Sequence, residues 1–155
     1  MAYVILDKIS ATAHIESIRA TEDLVNGQFV ALGALEADGE ARAVTPSGDQ
    51  AEKLVFHVSN GLVYGDRENE LDFVLKAGKD GRGYVLAEGD IVSITLDGVT
   101  GVDPVAVGDI VNPHADGFEI VDGVTVTETG ALHGEVIAID NDAIAGQMAV
   151  VRISK

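Results

Sequence analysis

One short phrase, Gly-Asp-Ile-Val, occurs twice near the middle of the chain and constrains its fold more than any other feature. It lies within "LAEGDIVSITL" and again within "VAVGDIVNPHA". Glycine takes the positive φ of a tight turn, and an aspartate side chain hydrogen-bonds to the backbone of such a turn before the β-branched pair begins a strand. The phrase is therefore typical of a strand start. The structural turn residues that we predict are Gly89, Asp90, Gly108 and Asp109.

Turn signals of this kind recur along the rest of the chain. Five Asp-Gly pairs are present, and turns follow one another about every 8 to 12 residues, as in all-β sandwiches and barrels. We predict hairpins at Asp38-Gly39 (a type I′ turn), at Asn60-Gly61, at Asp122-Gly123 and at "NDAIAG" between "LHGEVIAID" and "QMAVVRIS". The fold class is thus all-β, an antiparallel β-sandwich or barrel with Asp-Gly hairpins and little helix.

Two stretches leave alternatives open. Residues 1–23 contain few turn signals and are either an edge strand of the main sheet or an extended N-terminal arm that reaches a neighbouring subunit. Residues 24–155 form a single β domain in both interpretations. Within 66–83, Leu71, Val74 and Leu75 fit a helix, whereas Leu71, Phe73 and Leu75 fit a strand. We expect a loop with a short ordered piece there.

Composition limits the partners and the chemistry. With 155 residues the chain is long enough for one core, and with no cysteine it has neither disulfides nor thiolate metal ligands. Its formal net charge of −16, with basic residues that form no stripe, disfavours direct binding to nucleic acid. The N-terminal apolar run meets Asp7 within a few residues, too early for a signal peptide or a membrane span. We expect a soluble protein.

No set of residues predicts catalysis or metal binding. The four histidines lie in unrelated segments without the spacing of a metal site, and no serine stands in a Gly-x-Ser-x-Gly motif. His133 and Glu135 share one face of a strand, but simple alternation often produces such pairs. We therefore expect a protein that is not an enzyme, with no catalytic residues, no metal and no cofactor.

The order of the segments over residues 26–111 resembles one class of proteins. "NGQFVALG", then "ELDFVLKAGKDGRGYVLAEGDIVSIT", then a second "VGDIV" are similar to the small structural proteins of tailed bacteriophages that decorate, or cement, the capsid. The resemblance implies a non-enzymatic, β-rich virion protein, often trimeric, which is made soluble in the host cytoplasm. It implies that the major capsid protein is the partner and that the chain braces its subunits on the outside of the head.

Partner contact is predicted at Tyr3, Val4 and Ile5, whose apolar side chains and extended backbone suit strand addition to an exposed sheet edge. A different class also fits an all-β chain: a β-sandwich module that binds carbohydrate or a cell surface, such as a phage fibre or adhesin domain. Sugar platforms need exposed aromatic rings. With 4 Phe, 3 Tyr and no Trp, the chain offers few of them.

Overall fold

The structure, a computed structural model, describes residues 2–60, 70–121 and 131–155. Short 3-10 helices lie at Glu70–Asp72 and Leu96–Gly98. The strands of these residues are β1 (Val4–Lys8), β2 (Ile15–Ala20), β3 (Leu24–Val25), β4 (Phe29–Leu35), β5 (Arg42–Pro46), β6 (Leu54–His57), β7 (Val74–Leu75), β8 (Asp80–Tyr84), β9 (Ile91–Thr95), β10 (Val99–Thr100), β11 (Ile110–His114), β12 (Gly117–Ile120), β13 (His133–Asp142) and β14 (Gly146–Ser154). The predicted all-β fold class is confirmed.

The strands of the first half close a small barrel in the order β2-β5-β4-β6-β8. Its pairs are antiparallel except β2 with β5, which run parallel, and β8 closes the barrel by pairing with β2. Beside the barrel, β3 and β7 form a two-stranded antiparallel ribbon. The undecided stretch 66–83 thus contains, in its described part, a 3-10 turn followed by β7 and β8.

The second half forms a seven-stranded sheet in the order β1-β9-β14-β13-β11-β12-β10. All of its pairs are antiparallel except β10 with β12. The hairpin predicted at "NDAIAG" is formed by β13 and β14. It lies at the centre of this sheet. Strand β1 comes from the far end of the chain and pairs at one edge of this sheet.

This pairing bears on the first 23 residues. Val4 pairs with Ile94 and Ile5 with Ser93 of the same chain, and Ala2 and Val4 are buried. Of the two interpretations of residues 1–23, an edge strand of the main sheet agrees with this arrangement, whereas an arm that reaches a neighbouring subunit does not. Within residues 2–23, β1 belongs to the seven-stranded sheet and β2 to the barrel.

The hairpin at Asp38-Gly39 forms with a different turn from the one predicted. A type I′ turn needs positive φ at both central residues, and in the described residues only glycines have it. Gly39 alone supplies it here (φ 75°), and its N–H donates to the Glu36 carbonyl at 2.9 Å. Four residues, 37–40, lie between Glu36 and Ala41, whose N–H and carbonyl are bonded, so the loop is two residues longer than predicted and Gly39 takes its left-handed position. The hairpin predicted at Asp122-Gly123 lies outside the described residues. The one predicted at Asn60-Gly61 lies at their limit, since Gly61 is also outside them.

Both Gly-Asp-Ile-Val phrases form the same closed turn. The Ala87 carbonyl accepts the N–H of Asp90 at 3.1 Å, and the Asp90 carboxylate accepts the N–H of Ala87 at 2.8 Å. Ala106 and Asp109 repeat both bonds, at 3.2 and 2.8 Å. Each glycine stands third in its turn, the position at which a type II turn requires positive φ.

The two turns also bind the central hairpin in equivalent ways. Gly89 donates its N–H to the Ile153 carbonyl of β14 at 2.9 Å, and Gly108 donates to the Val136 carbonyl of β13 at 2.8 Å. Strands β9 and β11 then run along opposite sides of the hairpin. The repeated phrase therefore builds two similar halves of one sheet.

Barrel and sheet share a hydrophobic core. Neighbouring residues of a strand point to opposite faces, so Val30 and Val55 fill the barrel while Phe29 and Phe56 face the sheet. There the two rings meet Phe118 of β12, with centroids 5.1 and 5.6 Å from it and 5.0 Å from each other. All three rings are buried.

Replacing Gly89 or Gly108 by valine tests the turns. At both positions a Cβ meets no atom within 4 Å, so the cost arises from the positive φ values of 89° and 96° and not from a clash. We expect each change to lower the free energy of unfolding by about 1–3 kcal/mol, with a fall in Tm of about 2–4 °C per kcal/mol.

The matched control is Ala106→Val, which adds the same methyl groups in the same turn at a residue without positive φ. Thermal unfolding of the three variants decides between strain and side-chain bulk. Equal Tm values for Gly108→Val and Ala106→Val would refute the backbone explanation.

Candidate functional site

The three residues predicted to contact a partner, Tyr3 just before β1 and Val4 and Ile5 within it, occupy different environments. Val4 is 7% exposed and packs into the core, whereas Tyr3 and Ile5 are half-buried. Tyr3 is fixed by its backbone: its N–H donates to the Thr95 hydroxyl at 2.8 Å, and its carbonyl accepts the Thr95 N–H at 3.0 Å. Tyr3 and Ile5 are therefore the side chains of this set that a partner can reach.

Tyr3 borders an open groove of about 410 Å³. We call it the N-terminal groove; its lining residues are Tyr3, Leu71, Asp72, Thr95, Leu96, Asp97, Ala145 and Gln147. Four parts of the chain meet there. They are the residue before β1, the first 3-10 helix, the end of β9 with the second 3-10 helix that follows it, and the tip of the β13–β14 hairpin. The sheet order creates this meeting because β9 pairs with β1 on one side and β14 on the other.

The surface of the groove combines apolar and acidic groups. Its apolar side chains are those of Leu71, Leu96 and Ala145. Its carboxylates are those of Asp72 and Asp97. The Asp97 carboxylate accepts a hydrogen bond from the Thr95 hydroxyl, which fixes it at the end of β9. This mixture suits a protein segment with apolar and basic side chains better than it suits a phosphate or another anion.

The predicted turn residues form no ligand site. The carboxylates of Asp90 and Asp109 each accept a backbone N–H of their own turn, and Asp90 is buried. They act on the fold and do not reach the N-terminal groove.

A buried polar network around His57 was not predicted as a site. The His57 ring is 0% exposed; its Nδ1 lies 2.8 Å from the Val25 carbonyl, and its Nε2 lies 2.9 Å from the Ser59 hydroxyl. A carbonyl only accepts, so Nδ1 carries the proton and Nε2 accepts from Ser59. The Ser59 oxygen in turn accepts the Arg82 N–H at 3.0 Å. The network ties β3, the end of β6, and β8 together.

The same chain segment is held by Asn26. Its amide nitrogen donates to the Ser59 carbonyl at 2.9 Å, and its amide oxygen accepts the Ser59 N–H at 2.8 Å. A serine that donates to a histidine also occurs in nucleophilic enzymes. Here both side chains are buried and form hydrogen bonds within the fold. The sequence did carry a signal, since alternation in "KLVFHVS" puts His57 on the same side as the inward-facing Val55.

Burial lowers the pKa of the His57 imidazole, and the hydrogen bond to Val25 opposes this only in part. The neutral ring is the form that fits, because a proton on Nε2 would displace the hydrogen bond from Ser59.

Two wider features of the described residues complete the description. They contain no group of three histidine and acidic side chains arranged to hold a metal ion. No helix in residues 2–60, 70–121 and 131–155 has the length and apolar character needed to cross a membrane.

The lowered pKa makes stability depend on pH. Below about 6.5, the ordinary value of histidine, the unfolded chain binds a proton that the folded chain does not. The contribution of His57 to the free energy of unfolding is therefore fully present above about pH 6.5 and decreases as the pH falls toward the folded pKa. Urea unfolding at a series of pH values measures this slope.

We expect the variant His57→Gln to be less stable than the wild type at neutral pH. We also expect it to lose the pH dependence of the free energy of unfolding that His57 contributes. His14→Gln, at an exposed position, is the control for removing a histidine. If the wild type and His57→Gln lost stability in parallel as the pH fell, His57 would not be the group responsible.

No protein-family model matches the chain, and no curated protein shows significant similarity to it.

Proposed function

We propose that this chain is a non-enzymatic virion structural protein, which binds the outside of a phage capsid and bridges subunits of the major capsid protein. The observation that supports it best is the edge of the seven-stranded sheet at β1. Of the described strands, only β9 pairs with β1, so its other edge offers backbone N–H and C=O groups to a partner strand. Tyr3 and Ile5 lie beside this edge.

Strand addition would give such a contact both affinity and orientation, because the main chain supplies hydrogen bonds and neighbouring side chains supply specificity. The edge is also protected against indiscriminate pairing. Its register is irregular between Ile5 and Lys8, and Asp7 and Lys8 are exposed charges. Bulges and charges are the usual means by which proteins limit pairing at an open edge. A short, specific partner strand fits this arrangement.

The charge of the chain agrees with a place on the outer surface of a head. At −16 it is repelled by packaged DNA and attracted by basic patches of a shell protein. A brace of this kind stabilises the shell to the extent that it binds assembled subunits and not free ones. We propose that the chain acts as a homo-oligomer, a trimer, since several weak contacts made together hold more firmly than one.

The carbohydrate-binding alternative gains little from the structure. A sugar platform needs an exposed aromatic ring, and Phe29, Phe56 and Phe118 are all buried in the shared core. The aromatic rings nearest the surface in the described residues, Tyr3, Phe73 and Tyr84, are half-buried, and Tyr84 and Phe73 pack against the two cores.

Co-sedimentation with capsid shells tests the proposal. Shells of the phage's own major capsid protein, purified without this chain, are mixed with the protein and pelleted. We expect saturable binding to shells, a higher temperature of shell disruption, and no binding to unassembled capsid subunits. Absence of the protein from the pellet at micromolar concentration would refute the function.

Tyr3→Ala locates the contact. It shortens a half-buried side chain at the N-terminal groove while leaving the backbone bonds to Thr95, so we expect binding to shells to fall by about tenfold with a small change in Tm. Thr12→Ala, on the exposed turn after β1, is the control and should bind like the wild type. Unchanged binding by Tyr3→Ala would place the contact elsewhere.

A further inference from the structure

The tip of the β13–β14 hairpin presents a large apolar side chain to solvent. Ile144 is 79% exposed, more than any other large apolar residue described. It lies between the longest two strands of the described chain, β13 and β14. Exposure of one apolar residue is ordinary, so the inference depends on how Ile144 is held and on what surrounds it.

The turn that carries Ile144 is fixed by one carboxylate. Asp142 accepts the N–H of Ile144 at 2.8 Å and the N–H of Ala145 at 2.7 Å. These two bonds hold the pKa of Asp142 below its usual value, that of Ala145 contributing most. The backbone of the tip is thus ordered before any partner arrives, and less conformational entropy is lost on binding.

Charge indicates the chemistry of the partner. Between His133 and Val151 the sequence has no lysine or arginine, and its acidic residues are Glu135, Asp140 and Asp142. Asp140 and Asp142 lie at the end of β13, directly before the tip. A surface that receives Ile144 must therefore combine an apolar pocket with a basic rim.

The tip also adjoins the surface already assigned to the partner. Ala145, the next residue after Ile144, lines the N-terminal groove together with Tyr3. A partner that adds a strand at β1 is thus brought to the hairpin tip as well.

We propose that Ile144 is an anchor residue, inserted into an apolar pocket with a lysine or arginine rim on the major capsid protein. The inference rests on the proposed function and adds to it a second contact, separate from strand pairing at β1. Anchors of this type are commonly single apolar side chains that fill a pocket and lose their water.

The test compares Ile144→Asp and Ile144→Ser with Leu35→Asp in binding to shells purified without this chain. Leu35 is also an exposed apolar residue of a hairpin strand, 54% exposed, but it belongs to the barrel. We expect both Ile144 variants to bind about tenfold or more weakly at an unchanged Tm, and Leu35→Asp to bind within about twofold of the wild type. We also expect Asp140→Asn to weaken binding at low salt and to reduce its dependence on salt.

The outcomes separate this inference from the function on which it rests. If the wild type binds shells and both Ile144 variants bind equally well, the anchor is refuted and the function stands. If Leu35→Asp loses as much affinity as Ile144→Asp, general surface charge explains the effect and the anchor is also refuted. If the wild type fails to bind shells, both proposals fall.

Discussion

The contact of Phe29, Phe56 and Phe118 lies where the barrel packs against the seven-stranded sheet. The first two rings come from the barrel and the third from the seven-stranded sheet, and their centroids lie 5.0 to 5.6 Å apart. Few other large side chains are present, since the chain has 4 Phe and no Trp. Rings in such a cluster bury more area per residue than the Val, Ile and Ala around them. The two sheets therefore depend on each other for their stability.

Amide side chains reinforce this junction between the barrel and the sheet. Gln28, just before β4, accepts the N–H of Val25 at 2.8 Å and donates to the Ala115 carbonyl at 3.0 Å. Gln50, before β6, forms two bonds with the main chain of Leu132, at 2.6 and 2.8 Å. Each amide offers a donor and an acceptor with the spacing of a peptide group. Loops of the barrel are thereby attached to the sheet without a regular ladder.

What the sequence predicted well is what a few neighbouring residues determine. The turn at Gly108 needs only the glycine and the aspartate after it, and the β13–β14 hairpin needs only its turn and the alternation beside it. The barrel next to an open sheet was not predictable, because it depends on pairs remote in sequence, such as parallel β2 with β5. The turn at Gly39 was given the wrong type because Asp-Gly fits more than one loop length. The hydrogen bonds of the buried His57 ring were not predictable, because the Val25 carbonyl that accepts from it lies 32 residues away in the sequence.

The difference between what neighbouring residues determine and what remote pairs determine also explains how much could be predicted of the N-terminal strand. Sequence showed that Tyr3, Val4 and Ile5 are apolar and extended, but alternation alone does not say which partner each face meets. The structure divides the strand: Val4 enters the core, and the backbone of Tyr3 binds Thr95. A partner that pairs with β1 would therefore attach to a strand anchored in the core. Force applied there would pass through β9 to the central hairpin β13–β14, and so to the shared aromatic core. The proposed brace of a capsid shell would need such a connection, which a flexible arm would lack.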